Sequence, residues 1–231
     1  MAWILCLETA TEICSVALLQ NDKMIVLQEN HDSNAHASQI TLLIEAAMKS
    51  ANIELKDLDA IAVSKGPGSY TGLRVGVSTA KGLCYALDIP LMAINTLEAL
   101  AHETIKKAKV KGQKANFCSM IDARRMEVYC AVFDERMNVI QKTEAKIIDE
   151  NSFSDLLDHS IIYFSGNGSA KCENVITHKN AKFVNDIKCS AANMNGIAQK
   201  LFSEKQFEDV AYFEPFYLKD FVGTVPKKNS I

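Results

Sequence analysis

The sequence has 231 residues, 48% of them hydrophobic and 23% charged, which is globular composition and excludes a disordered or collagen-like chain. This length allows one large domain or two smaller ones, each with a hydrophobic core. The formal net charge of −3 divides into −6 over residues 1–105 (6 basic, 12 acidic) and +3 over residues 106–231 (19 basic, 16 acidic), so the first half would repel a nucleic-acid backbone.

The first half opens with strands and continues with alternating helices and strands. Apolar runs at residues 2–9, 14–20 and 24–29 predict a meander of three strands. Apolar residues then recur at helical spacing, which predicts a helix over residues 34–51. Four further elements complete this half: a strand at 60–64, a helix at 71–87, a strand at 91–94 and a helix at 96–109.

The second half repeats this order of elements. Strands are predicted at 116–121, 127–133, 137–145 and 161–164, with helices at 151–157, from about residue 169, and at 191–202. The repetition indicates a duplicated α/β fold of two mixed sheets flanked by helices. We predict subdomains 1–107 and 108–231. The lysine-rich stretch 106–114 between them is interpreted as a solvated connector, with nucleic-acid contact as the alternative.

The seven cysteines and the start of the chain indicate a cellular compartment. No two cysteines have the C-x-x-C spacing of a zinc or redox site, and several lie in apolar runs. We therefore expect buried, reduced thiols, as is typical of cytoplasmic proteins. We expect neither a signal peptide nor a membrane span, because the first apolar run lacks a preceding basic region and no run reaches 18 residues.

The most distinctive segment runs from Ser64 to Gly76 and reads Ser-Lys-Gly-Pro-Gly-Ser-Tyr-Thr-Gly-Leu-Arg-Val-Gly. It predicts a strand, a Gly-Pro-Gly turn and the start of a helix, whose N-terminus could bind an anion. The spacing matches neither a P-loop nor a dinucleotide fingerprint, so the residues alone favour a tight structural turn. Gly72, Gly76 and Gly82 each cost about 1 kcal/mol in a helix relative to alanine. Gly72, Gly76, Thr79 and Ala80 leave a face of small residues, for which close packing of another helix is one candidate explanation.

Signals of catalysis and of metal binding are weak. His31 and His36 are five residues apart and share a helical face poorly, and the other three histidines are isolated. Glu8 and Asp122 are each predicted at the end of a strand, where a carboxylate could act in catalysis. The loops that follow them contain no glycine, which argues against the phosphate-binding hairpins of duplicated phosphotransferases.

Several segments together resemble the TsaB (YeaZ) family of tRNA threonylcarbamoyladenosine biosynthesis proteins. Gly66 to Gly76 is similar to that family's signature. Further similar segments are His36-Ala-Ser-Gln39, Ser78-Thr-Ala-Lys-Gly82, Asn95-Thr-Leu-Glu-Ala99, Asp122-Ala-Arg-Arg-Met-Glu-Val-Tyr129 and Glu214-Pro-Phe-Tyr-Leu-Lys219. The resemblance spans essentially the whole chain and is thin over about residues 140–205.

The resemblance implies an actin-like fold of the ASKHA group, with ribonuclease H-like subdomains. It also implies a non-catalytic subunit that binds TsaD as a heterodimer, joined by the ATPase TsaE. Together these proteins transfer threonylcarbamoyl from threonylcarbamoyl-AMP to the adenosine next to the anticodon of tRNA. The chain would then contact tRNA only indirectly, through the complex. It would hold no tightly bound cofactor by itself, and a nucleotide could bind at the subunit interface of the complex.

Departures from the family pattern concern the predicted cleft. The catalytic relatives hold a metal with a His-x-x-x-His pair on the first helix, whereas this chain has His36 and Ile40, so we assign neither a metal ligand nor a catalytic residue. Glu8 stands where the family usually has Asp, and Met126 where it usually has Gly. The cleft is therefore interpreted as vestigial, and its residues are Glu8, Thr9, Asp122 and Arg124.

The resemblance also places a partner surface on the first two helices. Its predicted residues are His36, Gln39, Ile40, Leu43, Tyr70, Arg74, Val75 and Ser78. The signature turn before the second helix consists of Gly66, Pro67, Gly68, Ser69, Thr71 and Gly72. We expect a homodimer through the same surface when the partner is absent. The alternative is that many of these side chains pack against their own sheet.

Two enzyme functions remain as alternatives. A stand-alone actin-like phosphotransferase would turn over ATP by itself, and the loops without glycine argue against it. A metallopeptidase of the glycoprotease type would bind zinc or iron, and the single His36 argues against it.

Overall fold

The computed structural model describes residues 2–21, 23–32, 36–108 and 114–219, without the His36 side chain. The first half forms a five-stranded sheet in the order β3-β2-β1-β4-β5. Its strands are β1 (Trp3–Glu8), β2 (Cys14–Gln20), β3 (Lys23–Asn30), β4 (Ala60–Gly66) and β5 (Leu91–Asn95). The first three strands pair antiparallel, and β1, β4 and β5 pair parallel, as the predicted meander followed by alternating elements requires.

The second half forms a sheet of the same topology, in the order β10-β9-β6-β7-β8. Its strands are β6 (Ala115–Asp122), β7 (Glu127–Asp134), β8 (Val139–Ile147), β9 (Ile161–Ser165) and β10 (Ala181–Val184). Strands β6, β7 and β8 pair antiparallel, whereas β6, β9 and β10 pair parallel. The predicted duplicated, actin-like α/β fold is confirmed. The sequence did not predict β10, because this four-residue edge strand carries no long apolar run.

Five α-helices accompany the sheets in the described part of the chain: α1 (His36–Ala51), α2 (Tyr70–Leu87), α3 (Thr96–Ala108), α4 (Ser154–Leu157) and α5 (Ile197–Ser203). The helix predicted from residue 169 is wrong, since only a 3-10 turn forms there, at Ala170–Cys172. The helix predicted over 191–202 is interrupted. A 3-10 turn at Ala191–Met194 ends before Gly196, whose φ of 81° is outside the helical region, and α5 begins after it.

Each half of the chain supplies part of the other half's core. Helices α1 and α2 cover one face of the first sheet. The opposite face is covered from the second half, where Met194 and Ala198 pack against Ile4. In exchange, Leu100 of α3 packs against the second sheet, in one cluster with Phe133. The predicted subdomain boundary stays a prediction, and its connector at 109–113 lies outside the described residues.

The seven cysteines have the surroundings that the sequence predicted. All seven cysteines are buried and free, as predicted. Burial raises the pKa of Cys14 and that of Cys172 to about 11, so both are thiols at neutral pH. None of the helices in the described ranges is long and apolar enough to cross a bilayer.

The exchange of core elements predicts cooperative unfolding, which Trp3 can report as the chain's single tryptophan. Leu100→Ala should lower the free energy of unfolding by about 2–5 kcal/mol. It should do so in denaturant titrations followed by Trp3 fluorescence, although Trp3 lies in the first sheet and Leu100 in the second core. Leu42→Ala, at a side chain that is 53% exposed, is the control. A Trp3 transition unmoved by Leu100→Ala would show that the halves unfold independently.

Candidate functional site

The predicted signature turn connects β4 to α2 and is fixed at several points. Gly66 has a φ of 107°, and a Cβ there would stand 2.7 Å from the carbonyl oxygen of Phe216. Pro67 follows through a cis peptide bond and is buried. Ser69 is the N-cap of α2, and its Oγ accepts a hydrogen bond from Gly72 N at 3.2 Å. The turn therefore sets where α2 begins and in which direction it runs.

Helix α2 meets the β1–β2 loop through glycines. A Cβ at Gly68 would overlap the carbonyl oxygen of Ala10, a Cβ at Gly72 that of Thr9, and a Cβ at Gly76 the Oγ1 of Thr9. Thr9 and Ala10 are buried by this contact. The sequence predicted that another helix would pack against these glycines. That prediction is wrong, because the β1–β2 loop of the same chain occupies the space.

Glu8 is fully buried at the end of β1. Its Oε1 accepts hydrogen bonds from Ala10 N at 2.7 Å and from Ser64 Oγ at 2.8 Å. Its Oε2 has no hydrogen-bond partner among the described residues. Burial raises the pKa of Glu8 to about 7, against the lowering effect of its hydrogen bonds. At neutral pH the carboxyl group of Glu8 therefore binds a proton far more readily than that of an exposed glutamate.

Asp122, at the end of β6, has different surroundings, and its side chain is 47% exposed. Its carboxylate pairs with Lys171 Nζ and accepts a hydrogen bond from Arg124 N at 2.9 Å. Partial burial alone would raise the pKa of Asp122, but the bonds from Lys171 and Arg124 hold it below its usual value. Glu8 and Asp122 thus differ in their burial and in the direction of their pKa shifts.

In each loop after these two strands, one backbone amide is engaged by the carboxylate that ends the strand. Ala10 N donates to Glu8, and Arg124 N donates to Asp122. A cradle for phosphate needs free N–H groups that converge on the anion. Within the described ranges, no group of three or more His, Cys, Asp and Glu side chains could hold a metal ion.

Asn167 connects the two loops across the cleft. Its Nδ2 donates to Glu12 Oε2 at 2.8 Å, and its Oδ1 accepts from Asp122 N at 3.1 Å. Asn167 lies in the Gly-Asn-Gly turn that is the second-half counterpart of the signature turn, and Gly166 there has a φ of 96°. The sequence predicted this turn but gave no signal that its asparagine would bridge the halves.

Helices α1 and α2 form the predicted partner surface. A groove of about 420 Å³ lies between them, with apolar walls that include Ile44, Met48 and Leu83. Of the eight predicted residues, Arg74 and Ser78 are exposed. Half-buried positions are taken by Gln39, Leu43, Tyr70 and Val75. Ile40 is only 1% exposed and belongs to the core of the first sheet, and the His36 side chain lies outside the description.

The outward side of α2 carries a stripe of exposed residues, namely Thr71, Arg74, Ser78, Gly82 and Tyr85. Tyr85 is 85% exposed, and a Cβ at Gly82 would meet no atom within 4 Å. Sequence reasoning did not assign Tyr85 or Gly82 to the predicted partner surface. The available signal was their helical spacing, because Gly82 lies four residues and Tyr85 seven residues after Ser78, on the same face of α2.

A C-terminal strap, defined as residues 204–219, runs along the other side of α2. Lys81 Nζ donates to the carbonyl oxygens of Ala211 at 3.2 Å and Phe213 at 2.9 Å. Phe216 N donates to Lys65 O at 2.7 Å. The strap ends at Lys219, whose Nζ pairs with Glu127 of the second half. The sequence linked residues 214–219 to a family segment without predicting this position.

Two glycines of α2 give opposite predictions for alanine substitution. Gly72→Ala should lower the free energy of unfolding by about 2 kcal/mol, because its Cβ would overlap the Thr9 carbonyl. Gly82→Ala should raise it by about 1 kcal/mol, because the site is open and alanine favours the helix. Denaturant titrations of both variants measure the contrast. Equal effects of the two substitutions would contradict the packing of α2 on the loop.

Glu8 predicts a pH-dependent contribution to stability. Its folded pKa of about 7 lies above the unfolded value. Its contribution is therefore present below pH about 4.3 and lost as the pH rises through about 7. Relative to wild type, Glu8→Gln should gain about 3 kcal/mol in the free energy of unfolding between pH 5 and pH 8.5. The exposed Glu150→Gln is the control, and equal pH profiles of wild type and Glu8→Gln would contradict the assignment.

Known proteins with similar sequences and structures agree with this fold. A family model described as "TsaD: tRNA N6-adenosine threonylcarbamoyltransferase" matches residues 30–225. The tRNA threonylcarbamoyladenosine biosynthesis protein TsaB of Haemophilus influenzae is 36% identical over 126 residues, which are 54% of this chain and 51% of that relative, about half its length. The protein of the same name from Escherichia coli is 28% identical over 226 residues, or 95% of this chain and 96% of that one.

A solved structure named YeaZ from Pseudomonas aeruginosa superposes with a TM-score of 0.82 at 24% identity. The superposition covers 94% of this chain and 100% of that one, so the two proteins share one fold. The chain therefore belongs to the TsaD family of tRNA N6-adenosine threonylcarbamoyltransferase proteins and, within it, to the TsaB (YeaZ) family.

Proposed function

We propose that this chain is a non-catalytic subunit that binds TsaD, with TsaE joining them. The complex would transfer threonylcarbamoyl from threonylcarbamoyl-AMP to the adenosine next to the anticodon of tRNA. Family membership supports the role in tRNA threonylcarbamoyladenosine biosynthesis. The observation that carries the non-catalytic role is the packing of the α2 glycines on the β1–β2 loop, which buries Thr9 and leaves Glu8 and Ala10 bonded to each other.

The proposed binding surface for TsaD is the exposed side of α1 and α2. The centre of this surface carries two small residues, Ser78 and Gly82, so a helix of the partner could approach closely. Around this centre, Leu42 and Tyr85 expose apolar surface that a partner would bury. A second copy of the chain could use the same surface, which supports a homodimer when TsaD is absent.

The remaining components follow from this placement. The acidic first half supports indirect contact with tRNA, through the complex, because it would repel a phosphate backbone. A nucleotide would lie at the subunit interface, since the loop amides at Ala10 and Arg124 are engaged. Cytoplasmic location follows from this role, and no membrane partner is proposed.

The two enzyme alternatives find no supporting observation in the part of the chain that the structure describes. A phosphotransferase would need free amides next to Glu8 and Asp122, and the amides two residues after them, Ala10 N and Arg124 N, bond to these carboxylates instead. A metallopeptidase would need a cluster of metal ligands, which the described residues do not form.

Ser78→Arg tests the proposed surface. The long charged side chain would stand at the centre of the contact, so binding to TsaD from the same organism should weaken by at least roughly tenfold. Size-exclusion chromatography with light scattering should show wild type shifting into a one-to-one complex and the variant eluting separately. Metal content is read on each peak.

Ser203→Arg, at an exposed serine of α5, is the matched control and should bind as wild type does. A folded Ser78→Arg variant that still forms the complex would contradict this surface. A wild-type chain that ignores TsaD and carries stoichiometric metal would contradict the proposed function.

A further inference from the structure

Arg74 is held in place by two aromatic side chains. Its Nε donates to the hydroxyl oxygen of Tyr217 at 3.2 Å. Its guanidinium carbon stands 4.2 Å from the centre of the Tyr70 ring. The two tyrosine rings lie with their centres 4.6 Å apart, at 34°. The side chain is exposed, yet its two contacts, with Tyr217 and Tyr70, restrict its orientation.

The terminal nitrogens of Arg74 remain available. Among the described residues, only Nε of this guanidinium makes a hydrogen bond. An arginine carries five N–H donors, so four of them are left in a fixed planar fork. Such a fork matches a carboxylate or a phosphate through two parallel hydrogen bonds. Because the side chain is already ordered, binding would cost little additional side-chain entropy.

Tyr217 can hold Arg74 because the strap itself is fixed. Phe216 N bonds to Lys65 O, and Lys81 Nζ bonds to two strap carbonyls. Phe213 of the strap packs against the first core. The strap segment that carries Tyr217 is thus bonded to β4 and α2 in the free chain, without a partner.

We propose that Arg74 is the anchor of the partner surface for a carboxylate of the TsaD subunit, and that Tyr217 is its positioning residue. This inference rests on the proposed function, and it adds the C-terminal strap and the chemistry of the contact. A single carboxylate of a partner needs only this one guanidinium. A nucleic-acid backbone carries a phosphate at every nucleotide and would meet the 12 acidic side chains of the first half against 6 basic ones. Arginine and tyrosine are both enriched among the residues that contribute most to binding at protein interfaces.

Calorimetric titration of TsaD from the same organism into this chain tests the inference. Arg74→Ala should weaken binding by roughly tenfold or more, which is typical for a hydrogen bond to a charged group. Tyr217→Phe keeps the ring and removes only the hydroxyl, and it should weaken binding by roughly threefold to tenfold. In the double variant, Tyr217→Phe should add no further loss, because its effect passes through Arg74.

Tyr212→Phe is the matched control, at a strap tyrosine that is 84% exposed, and its affinity should equal that of wild type. If wild type binds TsaD and Tyr217→Phe binds it with the same affinity, this inference alone is overturned. The same conclusion follows if the affinity losses of the two single variants multiply in the double variant. Failure of wild type to bind TsaD would overturn the proposed function and the inference with it. If Arg74→Ala keeps its affinity for TsaD but loses binding to a tRNA anticodon stem-loop, the inference is overturned, because Arg74 then binds a phosphate of the RNA and not a carboxylate of TsaD.

Discussion

The contact between α2 and the β1–β2 loop is the constraint on which the rest of the structure depends. Gly68, Gly72 and Gly76 let the helix approach Thr9 and Ala10 closely, and a Cβ at any of these three positions would overlap an atom of that loop. The contact buries the loop, engages the amide of Ala10 with Glu8 and leaves the opposite side of α2 in solvent. Helix α2 therefore packs on the loop with one side and exposes the other side to solvent.

The two halves support this arrangement jointly. Residues near Met194 complete the first core, and Leu100 of α3 contributes to the second. Across the cleft, Asn167 connects Glu12 with Asp122, and Lys219 reaches Glu127 from the strap.

The sequence predicted the fold because the period of apolar residues and the spacing of turn residues are local properties of the chain. Strands β1 to β4, helices α1 to α3 and the duplication all followed from apolar patterns and turn residues. Contacts between distant segments could not be predicted in this way. The sequence indicated that Gly72 needs a close neighbour, but not that Thr9 is the neighbour. It likewise gave no signal that Tyr217 would meet Arg74, 143 positions earlier in the chain.

Hydrogen exchange of backbone amides tests the central claim most directly. The free chain and its complex with TsaD would be compared, each with and without ATP. The account predicts that amides in residues 9–11 are protected in the free chain and unaffected by ATP, while α1 and α2 gain protection only with TsaD. Rapid exchange at residues 9–11 that slows on adding ATP, with no change in α1 and α2, would contradict it and reopen the cleft as a nucleotide site.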